Sequence, residues 1–365
     1  HGIAQESYLY ELGAKDSLYS SILEEQREFW VQLPESYEQE SKQLYPVIYV
    51  LDGEVHLQAV ATVLSYYWGG FMPEMIIVGI SNGQNRTRDL TTSEVQTRRG
   101  SAFNQDTGGA ENFTRFIEKE LIPHIETSYP ATGYRTLIGH SYAGLFTINM
   151  LLNHPGVFAN YLAIDPSLDW DNQKLLKHSE KLLGTEDYRG KSLFMSLGGQ
   201  LHMQNSDITI ENVSEDSSEY TLFARSSIQF SKAVNENRQN GLNYQWKFYE
   251  QDLHGTISLP SIRDGLIFLF DWYPIEHTDR FNSPDTPTEE LLQIIRDRER
   301  KLKNHFGYIV PPFEEDLLIM LGYMNLDWGN TQKSLAFFQL ALEYYPNSTE
   351  ALQNIEEINA QNKVE

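Results

Sequence analysis

The chain has 365 residues, 40% hydrophobic and 22% charged, with 28 Lys and Arg against 51 Asp and Glu and no cysteine. A formal charge of −23 repels phosphate backbones and anionic lipid, which disfavours nucleic-acid and membrane partners, and apolar runs such as 46–51 and 75–80 fall far short of the roughly 20 residues of a membrane span. The missing cysteines exclude disulfides, thiolate zinc sites and cysteine nucleophiles; they leave cytoplasm and periplasm both open, and a start on His1 rather than Met tilts the expectation toward a periplasmic or secreted chain whose leader has been removed.

In chain order, residues 29–33, 47–51, 75–80, 136–138, 161–164, 193–197 and 244–249 read as short apolar strands. Amphipathic stretches at 112–124, 145–153 and 221–238 lie between several of them. Buried strands separated by helices predict an α/β sandwich built on a mostly parallel sheet with helices on both faces. The polar, Gly-containing stretch 87–109 reads as a long surface loop near strand ends.

The pattern changes after Trp272-Tyr273-Pro274. Residues 276–288 are polar, with prolines nearby, and read as a linker. The expected division is a catalytic domain over 1–283 and a small all-α segment over 284–365. In that segment Leu321, Gly322, Ser334, Phe338, Ala341 and Pro346 stand at tetratricopeptide-like offsets, and 349–360 reads as a capping helix. One repeat cannot bury both of its apolar faces alone. It is therefore expected to dock on the catalytic domain or to form a homodimer; a partner-binding module is the rival reading.

The chemistry centres on Gly139-His140-Ser141-Tyr142-Ala143-Gly144, a G-x-S-x-G sequence between a predicted strand and a predicted helix. That context suits a nucleophilic serine on a strained strand-to-helix turn, with free helix N–H groups facing the reacting centre. A serine hydroxyl needs a base at neutral pH. His254 follows the last predicted strand, where an α/β-hydrolase carries its base. His124, His140, His154, His178 and His277 are worse placed.

The acid is expected after the strand 193–197 and before the base. Gly198-Gly199-Gln200-Leu201 carries no carboxylate. Asp207 is the first choice and Asp216 the second, with Glu211 and Glu215 also in the interval. A Ser–His dyad supported by water stays open. The oxyanion hole needs two backbone donors: the N–H of Tyr142, and one from Asp52-Gly53-Glu54-Val55, with Glu54 or Val55 favoured.

These residues resemble the IroE-like serine hydrolases, the enterochelin-type siderophore esterases, and the wider esterase group that includes esterase D and feruloyl esterases. The resemblance runs from about residue 29 to 273. It rests on Val50-Leu51-Asp52-Gly53, Asn85-Arg86-Thr87-Arg88-Asp89-Leu90-Thr91, the stretch 116–123, the stretch 138–145, Pro166-Ser167-Leu168-Asp169-Trp170-Asp171, and His254-Gly255. It implies ester hydrolysis with Ser141 and His254 in the roles above. Two departures stand out: many relatives carry an acidic residue where this chain has Gly199-Gln200, and the helical tail lies outside the core family pattern. A catecholate trilactone with bound iron calls for cationic and aromatic surroundings. Arg86, Arg88, Arg98 and Arg99 fall in the region of the long loop, Tyr142, Trp170 and Trp68 offer stacking surfaces, and Arg98, Arg99 and Trp170 are the substrate-binding choices.

The sequence thus predicts a serine carboxylic-ester hydrolase acting through an acyl-enzyme on a small-molecule ester, with no metal and no cofactor. The rivals are a non-catalytic hydrolase-fold interaction protein and an acyltransferase using the same residues.

Overall fold

The computed structural model describes residues 12–37, 43–98, 100–202 and 204–361. These form two compact units that divide between Trp272 and Tyr273.

The first unit is built on one eight-stranded sheet. Its strands are β1 (Ala14–Ser20), β2 (Glu25–Gln32), β3 (Tyr45–Leu51), β4 (Ile76–Ile80), β7 (Ala131–His140), β8 (Asn160–Ile164), β9 (Ser192–Gly198) and β10 (Asn243–Tyr249). Residues Thr97–Arg98 (β5) and Ser101–Ala102 (β6) form a separate two-residue ribbon. The sheet order is β1-β2-β4-β3-β7-β8-β9-β10. The pairings β1–β2 and β2–β4 are antiparallel, and every other pairing is parallel.

β3, β4 and β8 are buried along their whole length, which explains their unbroken apolar runs. Alternate residues serve opposite faces. Tyr49, Leu51, Tyr161 and Ala163 join the core under the helices Tyr142–Asn153 and Trp170–Thr185. Leu162 and Phe194 instead meet the helix Ser258–Leu269 at Gly265. The sheet is thus covered on two sides, as in an α/β-hydrolase. β1 escapes the sequence pattern because it is an edge strand with mostly exposed residues. The stretch 112–124 is not one α-helix. It runs as Ala110–Phe116, a π-helical turn Ile117–Leu121 and Ile122–Ser128, with the wide turn just before Pro123, which lacks an N–H to continue the α-helical ladder.

The second unit holds the helices Thr278–Phe281, Thr288–Phe306, Glu315–Asp327, Thr331–Tyr344 and Thr349–Gln361. Leu291, Ile295, Leu321, Phe337, Phe338, Ala341 and Ile358 lie in its core. Between the helices Glu315–Asp327 and Thr331–Tyr344, Gly322 lets the Phe338 ring approach so closely that a Cβ would stand 2.5 Å from Cε1. The boundary falls eleven residues before the expected one, and 276–288 is not a free linker. Buried Arg298 donates to the carbonyls of Tyr273 and Pro312, each at 2.6 Å. Lys333 donates to those of Pro284 and Thr286 at 2.7 and 2.6 Å, and Phe281 enters the core. No helix among the described residues is long and apolar enough to cross a membrane.

Candidate active site

Parallel strands carry their carboxyl ends to one edge of the sheet, and the chemistry-bearing loops collect there. β7 ends at His140, and Ser141 begins the turn into the helix Tyr142–Asn153. Ser141 adopts φ 62° and ψ −114°, a backbone state that non-glycine residues rarely hold and that surrounding structure must enforce. Two main-chain bonds do so: Ser141 N–H donates to the Ile164 carbonyl at 3.0 Å, and Ser167 N–H donates to the Ser141 carbonyl at 3.0 Å. Gly139 is required, because a Cβ there would lie 2.2 Å from the Ala143 carbonyl oxygen.

His254 stands on the loop between β10 and the helix Ser258–Leu269. Its Nε2 is 3.0 Å from Ser141 Oγ, and its Nδ1 is 2.5 Å from Asp165 Oδ2. A carboxylate only accepts, so Nδ1 carries the ring proton and Nε2 is free to accept from the serine hydroxyl. Asp165 directly follows β8, with φ 43°. Its side chain is 3% exposed, and its Oδ1 accepts the Gly198 N–H at 2.9 Å.

The acid partner of His254 is therefore Asp165, not Asp207. Asp207 lies on an exposed turn, with its N–H on Asn205 and its carbonyl on Asn212. Asp216 is spent on the Ser218 N–H and the Thr221 hydroxyl, and Asp252 accepts from Thr256. The shift by one strand has a packing cause. At the end of β9, Gly199 N–H bonds the Asp252 carbonyl at 2.7 Å, and a Cβ at Gly199 would stand 2.0 Å from the Glu250 carbonyl oxygen. The main chains touch, so a carboxylate side chain has no room there. The neighbouring strand supplies it. A signal was present in Ile164-Asp165-Pro166-Ser167, a carboxylate immediately after an apolar strand.

His140 supports the base from behind. Its ring lies 4.6 Å from that of His254, and its Nε2 is 2.8 Å from the His254 carbonyl oxygen. Since that oxygen only accepts, Nε2 is protonated. Burial, then the neighbouring His254 and His56, push the His140 pKa down to about 3, so the ring is neutral in ordinary buffers. Ser167 Oγ is 3.4 Å from Ser141 Oγ, the second hydroxyl at the centre.

A cavity of about 700 Å³ opens on Ser141 and His254, walled by Arg98, Tyr142, Gln200, Leu201, Tyr220 and Phe223 among others. Arg98 projects from the β5–β6 ribbon, with its guanidinium carbon 5.1 Å from the Tyr142 ring centre and 5.3 Å from that of Trp170. Trp170 itself is buried, donating Nε1–H to the Ser93 carbonyl at 3.1 Å. It backs Arg98 and Tyr142 and offers no face to a ligand. Arg99 lies outside the described residues. Arg88 is engaged with Glu25 and Asp89, and exposed Trp68 with Glu74. Of the expected oxyanion donors, Tyr142 heads its helix beside Ser141. Val55 is excluded, because its N–H already donates to the Asp52 carbonyl at 2.9 Å. Glu54 stands in the first turn of the helix Gly53–Tyr66, one residue before Val55.

Residues 20–250 match the family described as "Putative esterase". The chain is 30% identical over 189 residues to the ferri-bacillibactin esterase BesA of Bacillus subtilis, a match covering 47% of this chain and 65% of that protein. It is 27% identical over 188 residues to a siderophore enterobactin esterase of Emericella nidulans, covering 47% and 59%. In each case the match spans less than two thirds of the relative's length. An IroE-like serine hydrolase from Shewanella oneidensis superposes with a TM-score of 0.72 at 29% identity, covering 91% of this chain and 99% of that one. That share exceeds the 272 residues of the first unit, so the likeness extends into the helical unit.

Proposed function

The chain belongs to the esterase family whose pattern spans residues 20–250, and on that premise we propose that it hydrolyses carboxylic esters through an acyl-enzyme on Ser141. The observation that carries this reading is the unbroken row from Asp165 Oδ2 to His254 Nδ1 at 2.5 Å and from His254 Nε2 to Ser141 Oγ at 3.0 Å. Ser141 Oγ attacks the ester carbonyl while Nε2 takes its proton. The tetrahedral oxyanion accepts hydrogen bonds from the N–H groups of Tyr142 and Glu54. Collapse expels the alcohol, which leaves with the proton from Nε2. Water then repeats the sequence on the acyl-enzyme. Asp165 holds the tautomer and faces the imidazolium as it forms.

The substrate class we propose is a siderophore-type ester. Two relatives bear siderophore esterase names, and the described cavity wall includes the guanidinium of Arg98, which also pairs with Asp169 at 3.4 Å, the carboxylate of Glu219, and the rings of Tyr142, Tyr220 and Phe223. An electron-rich aromatic ligand suits such a wall.

The test is Ser141→Ala against a p-nitrophenyl ester and a catecholate trilactone, with and without iron. Loss of at least about 10⁴-fold in kcat, with an unchanged melting temperature, is expected for both. Activity within about threefold of the parent would remove Ser141 from the mechanism. Turnover of the simple ester alone would retain the chemistry and overturn the substrate class.

A further inference from the structure

Arg86 touches none of the reacting atoms in the mechanism above, yet it joins the two segments that carry the oxyanion donors. It opens the short helix Arg86–Leu90. Its Nε donates to Asp52 Oδ1 at 2.9 Å and its Nη2 to Asp52 Oδ2 at 2.8 Å, a two-pronged pairing. The same Nη2 donates to the His140 carbonyl oxygen at 3.2 Å. Asp52 stands two residues before Glu54, and His140 two residues before Tyr142.

The Asp52 end needs holding. Its backbone is left-handed at φ 51° and ψ 48°, a state that a residue with a Cβ holds only when its surroundings enforce it. Its N–H donates to Asn82 Oδ1 at 3.1 Å, and its carboxylate is 6% exposed. The guanidinium carbon of Arg86 also lies 5.5 Å from the Tyr142 ring centre. One planar cation thus grips the turn before one donor, the strand end before the other, and the ring of the residue that supplies the latter.

Resting on the esterase reading, we infer that Arg86 is a positioning residue that fixes the separation of the Tyr142 and Glu54 N–H groups. Oxyanion donors act only when they sit about 2.7–3.1 Å from the oxygen in its tetrahedral position. The planar ground-state carbonyl is less demanding. A device that sets their spacing therefore stabilises the transition state more than the bound ester.

The test uses Arg86→Lys, Arg86→Gln and Asp52→Asn in the full chain, with a p-nitrophenyl ester and a boronic acid as tetrahedral mimic. Lysine keeps the charge but cannot reproduce the fork. Because loss of one whole donor costs about 10²–10³ in kcat, a loosened pair is expected to cost about 10–100-fold. KM should stay within about threefold, and boronate affinity should fall in the same ratio as kcat. Asp52→Asn combined with Arg86→Gln should cost little more than either alone, since both break one device.

The inference is overturned if kcat stays within threefold in all three variants, if KM rises in place of the kcat loss, or if boronate binding is unchanged while kcat falls. Should Arg86→Gln fail to fold, Arg86→Lys and Asp52→Asn carry the same readouts. If Ser141→Ala abolishes activity while the Arg86 variants behave as the parent, only this inference falls. If Ser141→Ala stays active, the esterase reading falls first.

Discussion

Asp165→Asn isolates the contribution of the carboxylate that the structure, but not the sequence, brings to His254. The replacement is isosteric, so packing of the 3%-exposed side chain is preserved. Its hydrogen bonding is not. The two oxygens of Asp165 both accept, one from His254 Nδ1–H at 2.5 Å and one from Gly198 N–H at 2.9 Å. An asparagine has one accepting and two donating positions. If its oxygen faces Gly198, its NH2 faces Nδ1, which must then lose its proton. The proton moves to Nε2, pointing at Ser141 Oγ 3.0 Å away, and the ring can no longer accept from the serine. If its oxygen faces Nδ1, two donors confront each other at Gly198. The fixed main chain at Gly198 favours the first arrangement, the inactive tautomer. The expected loss is about 10⁴-fold in kcat, equivalent to about 5.5 kcal/mol of transition-state stabilisation. Steady-state hydrolysis of a p-nitrophenyl ester at neutral pH reads it, with a thermal scan confirming an intact fold. Asp207→Asn is the control and should stay within about twofold of the parent. A loss under tenfold in Asp165→Asn, or a severe loss in Asp207→Asn, would refute the reasoning.

Three further predictions concern the frame. Glu25, paired first with Arg88 and then with Arg27, is held down from the usual 4.5 to about 2; a carboxyl whose folded pKa is depressed adds stability above its unfolded value and loses it as the pH falls. Glu25→Gln should therefore lower the melting temperature at pH 7, and the gap to the parent should close as pH falls from about 4.5 toward 2; a gap constant with pH would contradict this. Gly199→Ala drives a Cβ to 2.0 Å from the Glu250 carbonyl oxygen and must displace the loop that carries His254, so kcat should drop about tenfold or more, with a lower melting temperature; parental kinetics would show that the loop yields freely. Gly322→Ala sets a Cβ 2.5 Å from the buried Phe338 ring and should cost the helical unit about 1–3 kcal/mol despite alanine's better helix propensity; an unchanged unfolding profile would contradict that packing.

Much of this geometry is legible in the chain because local patterns dictate it. The buried parallel strands show as apolar runs, and the placement of Ser141 after β7 and His254 after β10 follows from the turn chemistry around 139–144 and the position of 254 after the last strand. What the chain conceals are choices made by packing between strands. The partner of His254 comes from β8 because main-chain contact at Gly199 closes the end of β9, and no local rule reports a contact between residues 199 and 250. Trp170 reads as a ligand surface from its motif but is buried, its indole N–H on Ser93. Val55 reads as an oxyanion donor from its place after a strand, yet its N–H closes the first turn of its own helix. The edge strand β1 hides because one mostly exposed strand carries little apolar periodicity.

The central claim is a covalent intermediate on Ser141, formed through His254 and Asp165. Rapid-quench mass spectrometry with a slowly deacylating p-nitrophenyl ester tests it most directly. The account predicts an acyl adduct on the peptide bearing Ser141, formed in step with a burst of p-nitrophenol, absent in Ser141→Ala and slowed by about 10⁴-fold in Asp165→Asn. An adduct on Ser167, whose hydroxyl lies 3.4 Å away, or steady turnover with neither burst nor adduct and a fully active Ser141→Ala, would contradict it.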